Sequence, residues 1–362
     1  MKSKNTSLPS DKELRRRQNA SNFHVLARPS FVAGVVESNR NDNHHHHPET
    51  IYFDNDPCEG KERILRILKN AGIPIDDPIH LCRKLPDWTT VVRLYGEKPV
   101  VLGIETCSTY RAMIRHAGVR TLPRVAGLCN TGTHTLSGIL RKNIGKLISS
   151  TTPRRAKEYD VPWGKHSFAK FRLNVTRRFG EQADLVLPIV IVRDPYRWMQ
   201  GMCKAPYFAS WAKADHCPNL IHNATGKPVR VVLNYALTKP FHKRGENYLE
   251  SLPIYWNMWN RQYYESTYPR LMIRFEDLIF HSEEVYEQIQ DCAGIPRTEE
   301  DQFDYQTKAA KDHGGAVGLL EQIIIHGKES NRISGFTDHD LNYAHESLDT
   351  TLMLKFGYNH PP

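Results

Sequence analysis

The sequence contains no long apolar run. A membrane-spanning helix needs about 18 or more consecutive apolar residues, and the run at residues 185–192 is much shorter than that. Residues 1–21 also have no apolar core of the kind that defines a signal peptide. We therefore expect no membrane anchor and no secretion signal within this sequence.

Nucleic-acid-binding signatures are also missing. The sequence has no Lys/Arg-rich run with interleaved aromatic residues and no zinc-finger or RNA-binding motif, so we expect no nucleic-acid partner. Its formal net charge is nevertheless +9, and this excess of positive charge favours an anionic partner such as a nucleotide or a polyanionic glycan. With 40% apolar residues, the 362-residue chain can form one large α/β domain with extensions.

Sequons and cysteines bear on the cellular compartment. Four N-glycosylation sequons are present, at Asn5, Asn19, Asn174 and Asn223. Of the seven cysteines, Cys203 and Cys217 flank a loop that a disulfide could bridge. These features favour a glycoprotein of the Golgi lumen or secretory pathway whose membrane anchor lies upstream of residue 1. A cytoplasmic protein with reduced cysteines is the alternative.

Composition divides the chain near residue 50. Residues 1–50 are rich in Asn, Ser, Arg and His without sustained periodicity, which predicts a disordered tail or stem. The four adjacent histidines in this tail are more typical of a low-complexity linker than of a metal site. Residues 51–362 form the predicted α/β domain. Within it, residues 89–93 and 99–104 have the pattern of strands, and residues 109–116 have that of a helix.

Residues 123–147 have the pattern of a strand, a turn and a helix. An apolar run ends at Asn130-Thr131-Gly132, and from Thr133 onward apolar residues recur at helical spacing. Gly132 permits a positive φ and the close approach of an anion, while the first N–H groups of the helix and its dipole favour negative charge. Hydroxyl groups of Thr133 and Thr135 add donors. The segment therefore predicts a phosphate-binding loop.

The loop lacks the Gly-Lys-Ser/Thr sequence of ATP-binding loops. That sequence places a lysine on the terminal phosphates and a hydroxyl group on magnesium, whereas here Gly132 is followed by Thr133 and His134. An ATP-dependent kinase, which would need magnesium, is therefore disfavoured.

Two further elements follow the loop. Residues 185–192 form a continuous apolar run that predicts a central parallel strand, and Arg193-Asp194-Pro195 follows it directly. Ligands bind at the carboxyl ends of such strands, where an arginine can form a bidentate pair with phosphate. Between loop and strand lies Lys165-His166, which pairs a cation with a side chain that can accept a proton near neutral pH.

These elements, in this order, resemble the PAPS-dependent sulfotransferases, in particular the Golgi carbohydrate sulfotransferases (PAPS is 3′-phosphoadenosine 5′-phosphosulfate). Asn130-Thr131-Gly132-Thr133 is similar to the family's 5′-phosphosulfate loop, usually Pro-Lys/Arg-Ser-Gly-Thr-Thr, and Arg193-Asp194-Pro195 is similar to its 3′-phosphate motif. An aromatic helix followed by Glu276-Asp277-Leu278, and the ending Phe356-Gly357-Tyr358, also fit. The resemblance covers residues 124–358, roughly two thirds of the chain.

The resemblance implies a fold, an activity and a set of roles. The implied fold is a three-layer α/β sandwich with a central parallel sheet, of the P-loop nucleoside-kinase type. The implied reaction moves a sulfuryl group from PAPS, without a metal, to a hydroxyl-bearing acceptor, for which a glycan is favoured. His166 would be the base and Lys165 would stabilise developing charge. The implied cofactor contacts are Asn130, Thr131, Gly132, Thr133, His134, Thr135, Arg193, Gly201, Lys328 and Arg332.

Two positions depart from the family pattern. Asn130 stands where the family has a Lys or Arg, and Gly201 stands where it has a serine that binds the 3′-phosphate. Lys165 could replace the first group, and Gln200 or Lys204 the second. If neither does so, the chain is a catalytically inactive, sulfotransferase-like module that binds an anionic glycan. The sequence leaves this alternative open.

Overall fold

The structure is a computed structural model. It describes residues 56–144, 159–173, 183–207, 209–212, 216–233, 248–297, 302–308 and 318–362. The predicted tail at residues 1–50 and the sequons at Asn5, Asn19 and Asn174 lie outside these ranges. The sequon at Asn223 is in an exposed turn.

A four-stranded sheet forms the centre of the fold, with the strand order β1-β7-β3-β2. Its strands are β1 (Val101–Leu102), β2 (Leu122–Gly127), β3 (Val186–Val192) and β7 (Leu271–Arg274). Strand β3 runs parallel to both neighbours, with Ala126 opposite Val190 on one side and Arg274 opposite Val192 on the other. The α/β class and the strands β2 and β3 thus agree with the sequence prediction.

The sheet is mixed, which corrects the expectation of a parallel sheet. Strand β1 pairs antiparallel to β7, with Val101 opposite Ile273. Only two residues of the predicted strand at 99–104 pair, at an edge of the sheet. An antiparallel edge strand on an otherwise parallel sheet is common, and the apolar pattern of so short a strand carries no signal of its direction.

The position of strand β3 in the sheet explains why its sequence is apolar throughout. All seven of its residues are buried, because a strand between two parallel neighbours has no face left for solvent. Pro188 lacks an N–H group, but the ladder to β7 begins only opposite Ile189. The proline therefore lies outside that ladder.

Helices surround the strands along the chain. They are α1 (Glu62–Asn70), α2 (Pro78–Cys82), α3 (Trp88–Tyr95), α4 (Cys107–Ala117), α5 (Thr133–Asn143), α6 (Pro195–Lys204), α7 (Leu252–Tyr264), α8 (Asp277–Phe280), α9 (Ser282–Ala293), α10 (Leu319–His326), α11 (Asp338–Ser347) and α12 (Thr350–Lys355). Thr337 caps α11 in a reciprocal capping box with Asp340. Within the described ranges, no helix combines the length and apolar character needed to cross a bilayer.

Helix α3 corrects a second expectation, because residues 89–93 were predicted to form a strand. Their Thr-Thr-Val-Val run has high strand propensity. Val91, Leu94 and Tyr95 nevertheless bury one helical face, and packing of that face outweighs the local propensity.

A smaller sheet and three disulfides complete the fold. Strands β4 (Ala209–Ser210), β5 (Val231–Leu233) and β6 (Tyr248–Leu249) pair antiparallel. The disulfides are Cys58–Cys82, Cys107–Cys292 and Cys203–Cys217. The last one bridges the loop that the sequence had singled out, and the remaining cysteine, Cys129, is buried.

Candidate functional site

The loop between β2 and α5 has the backbone that an anion site needs. Asn130 and Gly132 have φ angles of 64° and 87°, both in the left-handed region. Asn tolerates this region, and at Gly132 a Cβ would lie 2.5 Å from Cε2 of Phe275. The predicted positive φ at Gly132 is confirmed. The chain therefore turns sharply, and α5 starts at Thr133.

Several polar side chains of the loop stabilise the loop itself. Thr131 is 1% exposed, and its hydroxyl donates to the carbonyl of Leu128 at 2.7 Å. The amide of Asn130 donates to the carbonyl of Ala205 at 2.7 Å, and Thr133 is buried. His134 and Thr135, by contrast, are half-buried. These two side chains and the backbone are therefore the parts of the loop best placed to meet a ligand.

Lys165 and His166 lie across the end of β2. The N–H of Gly127 donates to the carbonyl of Lys165 at 2.8 Å, and Nδ1 of His166 is 2.7 Å from the carbonyl oxygen of Gly127. A carbonyl only accepts, so Nδ1 carries a proton and Nε2 of the neutral ring keeps its lone pair. The indole N–H of Trp259 holds the His166 carbonyl at 3.1 Å. His166 is thus fixed in the tautomer that a general base needs.

The ammonium group of Lys165 reaches the start of α5. Its Nζ lies 3.4 Å from Nε2 of His134, in the first turn of that helix, and 3.3 Å from Oδ2 of Asp160. Its side chain is only 13% exposed. A cation at this position adds to the positive end of the helix dipole. The structure thus brings Lys165, His166 and His134 together at the loop, and the resemblance implies all three as site residues.

Arg193 contacts the loop through Asn130. It follows β3 directly, and its Nη1 donates to the carbonyl of Asn130 at 2.8 Å. Its guanidinium carbon lies 5.0 Å from the centre of the Phe275 ring. Burial, followed by the charge of Arg197, lowers the pKa of Arg193 to about 10. The group therefore remains positively charged at neutral pH.

The two departures from the sulfotransferase pattern are neighbours in space. A Cβ on Gly201 would lie 3.3 Å from Cβ of Asn130 and 3.5 Å from Nη1 of Arg193. A side chain at position 201 would therefore meet the arginine that the sequence assigned to the 3′-phosphate.

Of the two suggested replacements for the missing serine, only Lys204 remains accessible. The amide nitrogen of Gln200 lies 2.8 to 3.0 Å from three carbonyl oxygens, those of Asn331, Arg332 and Ser334, which already outnumber its two N–H groups. Gln200 therefore has no N–H group to spare for a phosphate. Lys204 is exposed and lines a cleft of 380 Å³ together with Arg197, Asn331 and Ser334. Arg197, Gly201 and Lys204 follow each other at helical spacing, so they share one face of α6.

The two late basic residues lie in different surroundings. Arg332 is 5% exposed and binds Oδ2 of Asp194 through Nε at 2.9 Å and Nη2 at 2.8 Å. Asp194 also caps α6, accepting from the N–H of Arg197 at 3.0 Å. Arg332 therefore fixes the residue that follows Arg193, while Lys328 is exposed.

Sequence reasoning did not point to His326. This residue ends α10 and is 1% exposed, and its Nε2 lies 3.1 Å from Nη2 of Arg193, 133 positions earlier in the chain. No local pattern marks it, because it ends a helix in which five of the eight residues are Leu or Ile. Beside it, Glu276 is fully buried, and burial, followed by the charge of Asp194, raises its pKa to about 7.

Comparisons of the chain with protein-family models, with curated proteins and with solved structures found no match. Among the described residues, no group of three or more His, Cys, Asp or Glu side chains is arranged to hold a metal ion. The geometry alone describes a loop at a helix N-terminus without a side-chain cap, cations on two sides and a histidine in the tautomer of a base. Such a site can bind an anionic group and remove a proton from a nearby hydroxyl.

Proposed function

We propose that this chain is a sulfotransferase that moves a sulfuryl group from PAPS to a hydroxyl group, with a carbohydrate as the acceptor. Its core would be of the P-loop nucleoside-kinase type. One observation carries the proposal: Lys165-His166 and Arg193, from two separate parts of the sequence, contact the segment from Gly127 to His134. An ordinary strand-to-helix turn would not need this convergence.

The two ends of the nucleotide would bind at different parts of the site. The backbone of Asn130 to Thr135 and the N-terminus of α5 would hold the 5′-phosphosulfate. Arg193 would hold the 3′-phosphate, with the exposed Lys204 adding positive charge from the same side of α6. Arg332 would contribute indirectly by fixing Asp194, and Lys328 is the more accessible of the two late basic residues.

The reaction would follow from these positions. The acceptor oxygen attacks the sulfur atom, the bond between sulfur and the phosphate oxygen breaks, and 3′,5′-adenosine bisphosphate leaves. Nε2 of His166 takes the hydroxyl proton, and Lys165 balances the charge that develops on the leaving oxygen. Positioning and electrostatics suffice for this transfer, so the mechanism needs no metal ion.

A catalytically inactive module that binds an anionic glycan is the second candidate. The departures from the family pattern at Asn130 and Gly201 favour this candidate. The amide of Asn130 already donates to the carbonyl of Ala205, and Gly201 has no hydroxyl group. In that case Lys165 and Arg193 would still attract an anion, but the nucleotide site would be weakened.

Covalent features support a lumenal location. Six of the seven cysteines form disulfides, and disulfides persist mainly in oxidising compartments. The described sequon at Asn223 is exposed. The Golgi or another part of the secretory pathway is the compartment we propose.

A transfer assay tests the function. Sulfur-radiolabelled PAPS would be incubated with a panel of desulfated glycans and small phenols, and label on each acceptor would be measured. We expect label on at least one glycan and a loss of rate of about 10²- to 10⁴-fold in His166→Asn. Asn can still donate to the Gly127 carbonyl, so this variant removes the base while keeping the structural hydrogen bond.

The matched control is Arg270→Ala. Arg270 is also a buried arginine, but it precedes the amino end of β7, at the opposite edge of the sheet from Arg193. It should leave transfer unchanged. Nucleotide binding without label on any acceptor would instead favour the inactive module, and equal rates in wild type and His166→Asn would refute the assigned base.

A further inference from the structure

A buried row of side chains runs from Arg193 away from the loop. Nη2 of Arg193 lies 3.1 Å from Nε2 of His326, and Nδ1 of His326 lies 3.6 Å from Oε1 of Glu276. The other oxygen of Glu276 accepts from the hydroxyl of Tyr358 at 2.6 Å. The side chains of His326 and Glu276 are both fully buried. Neither residue has a part in the proposed transfer.

Hydrogen-bond chemistry fixes the proton positions in this row. A guanidinium group only donates, so Nε2 of His326 must be the acceptor and Nδ1 must carry the ring proton. That nitrogen lies 3.6 Å from Oε1 of Glu276, which is a charge contact beyond hydrogen-bond distance. Protonating Nε2 would remove the acceptor and place two cations in contact. Burial and then the charges of Arg193 and Arg197 accordingly hold the pKa of His326 well below its usual value.

Charged and titratable groups surround the pair on every side. The groups that face His326 or Glu276 are Arg193, Asp194, Arg197, Arg274, Tyr95 and Tyr358. Glu276 also accepts weakly from the N–H of Asp194 at 3.3 Å. The carboxyl group therefore lies near arginines and near a second carboxylate. Its protonation responds to any further charge that arrives at Arg193.

We propose that His326 and Glu276 form a positioning pair for Arg193, and that binding of an anion at Arg193 is coupled to uptake of a proton by Glu276. The inference rests on the proposed function in that the anion is the nucleotide's 3′-phosphate. An anion adds negative potential next to the pair, which favours the neutral carboxyl group. Linkage is reciprocal, so a protonated Glu276 in turn favours the bound anion.

The sign of the pH dependence follows. The pKa of Glu276 in the free protein is about 7. Well below that pH the carboxyl group is already protonated, and binding takes up no proton. Between that pKa and the higher pKa of Glu276 in the complex, binding takes up a proton, and the dissociation constant rises by up to about tenfold for each pH unit. The affinity for the anion should therefore be independent of pH in mild acid and should decrease in mild base.

Calorimetric titration with 3′,5′-adenosine bisphosphate measures this coupling. Titrations at several pH values between about 6 and 8.5, in buffers of different ionisation enthalpy, give the number of protons taken up. Inorganic sulfate serves as a parallel ligand because it does not titrate in this range, whereas the nucleotide phosphates do. We expect measurable uptake of a fraction of one proton between pH 7 and 8 with sulfate in wild type, and none in Glu276→Gln, which keeps the size and a hydrogen-bonding oxygen.

The nitrogen-15 chemical shifts of His326 give a second test that needs no ligand. We expect a protonated Nδ1 and an unprotonated Nε2 at neutral pH, in wild type and in Glu276→Gln. A proton on Nε2, or an imidazolium, would overturn the inference. So would nucleotide binding whose proton count is zero at every pH, and this result would leave the proposed function intact. Absence of nucleotide binding at every pH would refute both.

Discussion

Gly132 provides a quantitative test of the loop geometry. Its φ of 87° requires a residue without a Cβ, and a Cβ built there would lie 2.5 Å from Cε2 of Phe275 and nearer still to Cδ2. Forcing an alanine into the left-handed region costs about 1–2 kcal/mol. Overpacking against a buried ring adds about 1–3 kcal/mol. We therefore predict that Gly132→Ala lowers the free energy of unfolding by about 2–5 kcal/mol.

Gly226 offers a matched control. Its φ is 62°, but a Cβ there would meet nothing within 4 Å. Gly226→Ala should therefore show only the backbone cost, about 1–2 kcal/mol. Replacing glycine by alanine also lowers the conformational entropy of the unfolded chain, which stabilises the folded state. This effect is common to both variants and cancels in the difference between their free energies of unfolding.

Urea denaturation followed by tryptophan fluorescence would measure both variants. Their difference isolates the contact with Phe275, and it should shrink when Phe275 is also replaced by alanine. Equal losses in Gly132→Ala and Gly226→Ala would refute the close approach of Phe275 to the loop. Because Phe275 also lies under Arg193, Gly132→Ala should weaken anion binding as well.

Three further predictions concern the residues around Arg193 and the disulfide-bridged loop. Gly201→Ser places a hydroxyl group beside Arg193 and the proposed 3′-phosphate. Because a hydrogen bond to a charged group contributes about 1.5–3 kcal/mol, calorimetry should show at least about tenfold tighter binding of 3′,5′-adenosine bisphosphate. An unchanged affinity would contradict this placement. The pKa of Glu276 rises from 4.5 to about 7 on folding, so its contribution to stability is fully present below pH 4.5 and is lost as the pH rises through 7. Compared with Glu276→Gln, the wild type should lose about 3 kcal/mol of unfolding free energy between pH 4.5 and 8, and a pH-independent difference would show that the carboxyl group does not titrate there. Cys203→Ser opens a disulfide that spans 14 residues and should cost about 3 kcal/mol in thermal or urea unfolding, whereas an unchanged transition would mean that the bridge does not form in solution.

The parts of the fold that the sequence predicts well are those with a strong local signal. Strand β3 is apolar at every position because it is buried between parallel neighbours, and Gly132 marks the turn because other residues do not fit there. Helix α3 was predicted as a strand because its β-branched residues hide the helical spacing of Val91, Leu94 and Tyr95. The direction of β1 was also wrong, since two residues carry no directional signal.

The residues of the candidate site likewise differ in whether a local sequence pattern marks them. Arg193, Lys165 and His166 stand out because each follows or precedes a recognisable element of the chain. His326 does not, because its contact with Arg193 depends on how α10 packs against α8. The sequence also gave no sign that Arg332 would be buried against Asp194, or that Asn130 and Gly201 would be neighbours. Such contacts between distant positions follow from tertiary packing and have no local pattern.

Nucleotide selectivity tests the central claim most directly. Wild type, Arg193→Ala and Arg270→Ala would be titrated calorimetrically with 3′,5′-adenosine bisphosphate, 5′-AMP and magnesium ATP. We predict that wild type and Arg270→Ala prefer the 3′-phosphorylated nucleotide by about tenfold or more, and that Arg193→Ala loses this preference. Equal affinity of wild type for all three nucleotides, or no binding of any, would contradict the assignment of this site to PAPS.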